Sequence, residues 1–172
     1  QLITRTHQNG LKAIIDFVPN HVARQYHSDV FPDKDFGLND NTTVAFAPTN
    51  DFYYIPNEPL HLAEGMGTLL ETETIDAYQE YPAKATGNDQ FHAYPSMNDW
   101  YETVKLNYGI DYLNGYTKHF NPTPPLWDKM IDILLYWCSK KIDGIRCDMV
   151  EMVPVEFWEY AIKKVKNTYP DI

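Results

Sequence analysis

The strongest constraint on this chain is the stretch LKAIIDFV at 11–18, a near-continuous apolar run rich in β-branched residues. Such a run reads as a strand buried on both faces, the signature of a parallel sheet covered by helices. A second run, KIDGIRCDMV at 141–150, reads the same way. Between them, LWDKMIDILLYWCSK at 126–140 has the apolar spacing of an amphipathic helix, and Pro124 and Pro125 stand where a first helical turn tolerates proline. Residues 153–167 predict another helix, with Pro154 near its start and Lys163, Lys164 and Lys166 towards its end. Residues 1–9 read as the tail of a helix, and Gly10 takes the capping-glycine position after it. The order is helix, strand, insertion, helix, strand, helix. This is a βαβα unit, which implies parallel strands and a right-handed crossover and suits either a closed barrel or a doubly wound sheet.

From 22 to 124 the texture changes to short apolar clusters broken by Pro, Gly, Asn and Asp. A connection of roughly 100 residues is far beyond ordinary βα loops, so this part is expected to carry short strands and turns of its own. The expected division is therefore 1–21, an inserted subdomain at 22–124, and 125–172. The chain has 13 Tyr, 8 Phe and 4 Trp, 15% aromatic in all. Flat rings with polar edges suit sugar faces, and they equally suit a Tyr-rich surface region. The formal charge of −10 is the wrong sign for neutralising phosphates, which argues against nucleic acid and anionic membranes as partners. Cys138 and Cys147 are too few for a disulfide framework and lie in no metal-binding spacing, so both read as buried thiols.

Side chains alternate along a strand, so Gly144, Arg146 and Asp148 share one face of the second run. An arginine and a carboxylate at the carboxyl end of a parallel strand occupy the place where α/β folds build active sites. The arginine favours the ionised form that a carboxylate nucleophile requires. A structural ion pair closing the strand end accounts for the same pattern. In the first run Asp16 lies in phase with Ile14 and Val18, facing the polar groups of the next strand. Just past that strand, His21 has the chemistry to donate to a substrate hydroxyl, and Asn20 to turn into the loop or to offer an amide oxygen to a cation.

These residues resemble two motifs of the α-amylase superfamily, glycoside hydrolase family 13. DFVPNH at 16–21 is similar to the family's DxxxNH motif at the third barrel strand, and GIRCD at 144–148 to its GxRxD motif at the fourth. VKLN at 104–107 looks like the short motif near the end of the inserted B domain. The resemblance implies an α/β fold: part of a (β/α)8 TIM barrel, the third and fourth strands with their following helices, interrupted by an irregular β-rich B domain.

By that resemblance Asp148 matches the catalytic nucleophile, Arg146 the residue that orients it, His21 a ligand of the sugar at the cleavage site, and Asp16 a structural aspartate that helps hold the arginine. Asn20 and Asn107 match positions that in many members coordinate or border a structural calcium. The implied activity is retaining hydrolysis of α-1,4-glucosidic bonds in α-glucans or maltooligosaccharides. A transglycosylase or isomerase of the same superfamily, or a non-catalytic carbohydrate-binding or accessory protein on the same barrel, are the alternatives. One departure stands out: where the family commonly has Lys and His after the nucleophile, this chain has Glu151 and Met152. The family's acid/base glutamate belongs to the fifth strand, about where this sequence stops, so the 172-residue chain by itself is expected to be inactive. With two of eight strands it is also expected to be marginally stable or self-associating.

Overall fold

In a computed structural model of the chain, residues 1–64, 66 and 78–172 are described. The expected insertion at 22–124 therefore lies partly outside the described residues. The chain divides into two compact units, one made of Gln1–Asn20 and Trp127–Ile172, the other of His21–Leu126.

The first unit opens with helix α1, Leu2–Gln8. Gly10, at φ 70°, ends it in a Schellman arrangement: its N–H donates to the His7 carbonyl at 2.9 Å and the Leu11 N–H to the Thr6 carbonyl at 3.1 Å. Only a residue tolerant of the left-handed region closes the helix this way, which is why a glycine follows it. Strand β1, Ile14–Phe17, then runs parallel to the last strand, β8, Gly144–Cys147, with Asp16 opposite Arg146. The ladder continues past both ends, from the Asp143 N–H to the Ala13 carbonyl at 2.8 Å and from the Asp148 N–H to the Phe17 carbonyl at 2.9 Å. Helix α2, Pro125–Ser139, and helix α3, Val155–Thr168, complete the α/β unit.

The core of this unit follows from helical spacing. Trp127, Met130, Ile131, Leu134 and Cys138 form one buried stripe along α2, and Phe157, Ala161 and Val165 another along α3. The Trp127 and Phe157 rings meet edge to face with centroids 5.7 Å apart, and the Tyr160 hydroxyl donates to Asp128 at 2.8 Å, tying the two helices together. Phe157 is fully buried, worth roughly 1.5–3 kcal/mol over leaving it in water.

The strands depart from expectation in one respect. Burial on both faces does not hold: Leu11 and Ile14 are 63% and 65% exposed, and Val18 is exposed as well. The reason is pairing, since among the described residues β1 and β8 each have only the other as a sheet neighbour, and their outer apolar side chains meet no covering layer. Cys138 is a buried thiol as expected, whereas Cys147 is only half-buried.

The second unit is built from strands of two or three residues. β2, His21–Ala23, pairs antiparallel with β5, Thr103–Lys105; β3, Tyr54–Ile55, with β4, Ala83–Lys84; and β6, Ile110–Asp111, with β7, Thr117–Lys118. Ladders this short do not hold a fold alone, and two polar hubs, one at buried Glu80 and one at half-buried Asp40, supplement them. Glu80 accepts from Arg24 at 2.6 Å, the Lys84 N–H at 2.8 Å and the Tyr78 hydroxyl at 2.9 Å. Asp40 accepts the Asp51 and Phe52 N–H groups and the Tyr54 hydroxyl. Phe46, Tyr53, Phe91 and Tyr112 pack ring on ring with centroids 5.3–6.1 Å apart, and Tyr53 is almost wholly buried. Of these four aromatic residues Tyr53 is in the unit's core, and half-buried Phe46, Phe91 and Tyr112 pack around it.

Candidate active site

Three of the singled-out residues converge at the carboxyl end of the β1/β8 pair. Register places Asp16 beside Arg146, and alternation places Asp148, one residue past β8, on the same face as Arg146. The guanidinium forks: Nη1 donates to both Asp16 oxygens at 2.9 and 3.1 Å, and Nη2 reaches Asp148 Oδ1 at 2.7 Å. One planar donor thereby fixes two carboxylates in orientation, which an ammonium would not do. The hydrogen bond to Asp16, followed by the charge of Asp148, holds the arginine more firmly protonated than usual. Solvent reaches this cluster, with side-chain exposures of 59% for Arg146, 56% for Asp16 and 28% for Asp148. Screening makes such pairs weak contributors to stability, so their consequence is geometric: Asp148 is the least exposed of the three and has one oxygen held by the arginine.

The backbone around Asp148 is fixed on both sides. Its N–H is bonded to the Phe17 carbonyl, and the next residue, Met149, turns the chain at φ 48°, ψ 41° into a single 3₁₀ turn, Val150–Met152. Glu151 lies exposed in that turn, and Glu156 lies in the first turn of α3, where a carboxylate is electrostatically favoured.

His21 and Asn107 belong to the other unit. His21 begins β2 opposite Lys105, and its ring leans on Trp100 with centroids 5.3 Å apart. A Cβ on Gly87 would come within 2.9 Å of the His21 Cβ and 2.6 Å of the Thr103 hydroxyl, so this glycine's lack of a side chain makes room for the histidine. Asn107 is fully buried; its amide donates to the Ala47 carbonyl and its oxygen accepts the Gly109 N–H, both at 2.9 Å. Those bonds give Asn107 a turn-organising task.

Calcium needs six to eight oxygen ligands, usually several of them carboxylates. Asn20 is buried at the end of the first segment, and among the described residues no group of three or more His, Cys, Asp or Glu side chains is suited to a metal. Asn20 and Asn107 each offer a single neutral amide oxygen, and the Asn107 oxygen already accepts the Gly109 N–H. Trp100, Gly87 and Trp158 belong to no motif in the sequence. Ring partners and close approaches across strands leave no signal in one sequence, although the Phe157–Trp158 pair at the start of a helix was visible as a dense aromatic spot.

The profile of the family described as "Alpha amylase, catalytic domain" matches residues 1–171, and the chain belongs to that family. The alpha-1,4-glucan:maltose-1-phosphate maltosyltransferase of Picrophilus torridus is 37% identical over 68 residues, 40% of this chain and 10% of that protein. The amino acid transporter heavy chain SLC3A1 of Homo sapiens is 25% identical over 173 residues, 99% of this chain and 21% of that protein. The solved maltogenic amylase from S. marinus superposes with a TM-score of 0.54 at 19% identity, covering 99% of this chain and 22% of that one. The chain thus spans a tenth to about a fifth of the length of these relatives, and the last likeness shows a shared fold.

Proposed function

We propose that the chain forms the third- and fourth-strand region of a (β/α)8 barrel, with an inserted B domain at 22–124, in a retaining enzyme acting on α-glucans or maltooligosaccharides. The single observation that carries this reading is the fork of Arg146 between Asp16 and Asp148 at the carboxyl end of two parallel strands. In this reading Asp148 attacks the anomeric carbon to form the glycosyl-enzyme as the glycosidic C–O bond breaks and the leaving sugar oxygen takes the proton of the acid/base, while Arg146 holds one Asp148 oxygen and so aims the other. Asp16 keeps the guanidinium in plane, and the part proposed for His21, in the other unit, is to donate to a sugar hydroxyl. A retaining enzyme needs a second carboxyl group as acid/base about 5–5.5 Å from the first. Neither Glu151, exposed in its turn, nor Glu156, at a helix start, suits that part. The 172 residues by themselves are therefore proposed to be inactive.

The test is Asp148→Asn in the full-length protein, assayed on maltooligosaccharides. A loss of at least about 10³-fold in kcat, with the sugar still bound, is expected for an activated nucleophile. Retention of activity would refute the assignment. The maltosyltransferase relative favours a second reading, transfer to a sugar acceptor instead of water, and chromatography of the products separates the two: chain-lengthened saccharides mean transfer. A non-catalytic accessory role, in line with the transporter heavy chain, predicts no turnover of any glucan.

A further inference from the structure

Asp148 does not sit in β8 but just beyond it, on a segment that must leave the sheet and enter α3 within a few residues. That exit runs through Met149, a non-glycine residue at φ 48°, a conformation that persists only when its surroundings hold it. Two bonds close the 3₁₀ turn that follows, from the Met152 N–H to the Met149 carbonyl at 3.0 Å and, longer, from the Val153 N–H to the Val150 carbonyl at 3.3 Å. One side chain reaches in from outside: the Trp158 indole N–H, on the first turns of α3, donates to the same Val150 carbonyl at 3.2 Å. The Trp158 ring is at the same time edge-on to Phe17, centroids 6.5 Å apart at 83°, and Phe17 is the residue whose carbonyl receives the Asp148 N–H. Phe157 packs against the indole at 5.4 Å, and Phe157 and Phe17 are both buried, so the ring stands on a fixed floor.

We propose that Trp158 is a positioning residue for Asp148, clamping the peptide two residues after it through Val150 while bracing, through Phe17, the strand end that holds the peptide before it. The proposal rests on the reading of Asp148 as nucleophile. Its consequence is kinetic. Freeing Val150 lets the Met149 turn relax and widens the range of positions Asp148 visits, and a misplacement of about 1 Å in a reacting group costs up to about a hundredfold in rate.

The test uses the full-length protein with Trp158→Phe, which keeps a ring against Phe17 but removes the donor, and a second variant in which Trp158 is replaced by isosteric benzothienylalanine, which removes only the N–H. Both are assayed on maltooligosaccharides and on α-maltosyl fluoride, whose leaving group needs no proton, beside Asp148→Asn. The expected result is a fall of about tenfold in kcat on both substrates, with KM within about twofold and the benzothienylalanine variant melting as the wild type does. A wild-type kcat in that variant, or a change confined to KM, overturns the proposal while leaving Asp148 in place. A wild-type rate in Asp148→Asn overturns this proposal and the functional reading together.

Discussion

Gly87→Ala isolates how the second unit accommodates His21. The new Cβ would stand 2.9 Å from the His21 Cβ, 0.5 Å inside the 3.4 Å limit of ordinary contact (3.4 less 2.9), and 0.8 Å inside it at the Thr103 hydroxyl (3.4 less 2.6). Neither neighbour yields easily. The Thr103 hydroxyl accepts the Gly87 N–H at 3.0 Å and donates to the Trp100 carbonyl at 2.7 Å, so moving it forfeits two hydrogen bonds. His21 is backed by the Trp100 ring and held in register with Lys105. Overpacking of this kind costs about 1–3 kcal/mol, and a loss of about 2 kcal/mol lowers the melting midpoint by roughly 4–8 °C in a chain of this size. On the sugar-binding role proposed for His21, displacement of its ring should also weaken maltooligosaccharide binding in the full-length protein, in the direction of His21→Ala. Scanning calorimetry and titration calorimetry read the two effects. A Gly87→Ala protein with a wild-type midpoint and wild-type affinity, beside a weakened His21→Ala, would refute the close-approach reasoning.

Glu80→Gln leaves the Arg24 guanidinium buried without its counter-charge; burial already disfavours that charge, and the loss should be about 3 kcal/mol by urea denaturation. Asp143 is held below the ordinary carboxylate range, chiefly by the Ala13 N–H and then by His7. A depressed folded-state pKa adds stability above the unfolded value and loses it as pH falls through the folded one, so the wild type should lose this contribution only in acid below about pH 4. Asp143→Asn should flatten that part of the curve in melts taken from pH 7 to pH 2, and an unchanged acid limb would contradict the assignment.

Both α2 and α3 were legible within about two residues, because buried stripes at helical spacing and a proline at the first turn depend on local sequence alone. The two strands were legible as elements but came out shorter, four residues each, because the length of a strand is set by how far its partner runs beside it. The Arg146–Asp148 pairing could be read from strand alternation, since a period of two needs no tertiary knowledge. Its connection to Asp16 came from the family motifs and not from periodicity, because it depends on Asp16 lying opposite Arg146, a register between segments 130 residues apart.

The α/β pattern and the positions of the motifs follow from periodicity and residue chemistry along one segment at a time. Which groups each motif meets depends on the folded arrangement. It set the fork of Arg146, the indole of Trp158 on the Val150 carbonyl, and the space that Gly87 leaves for His21. Hydrogen bonds and close contacts act over about 3 Å in space, with no regard for distance along the chain.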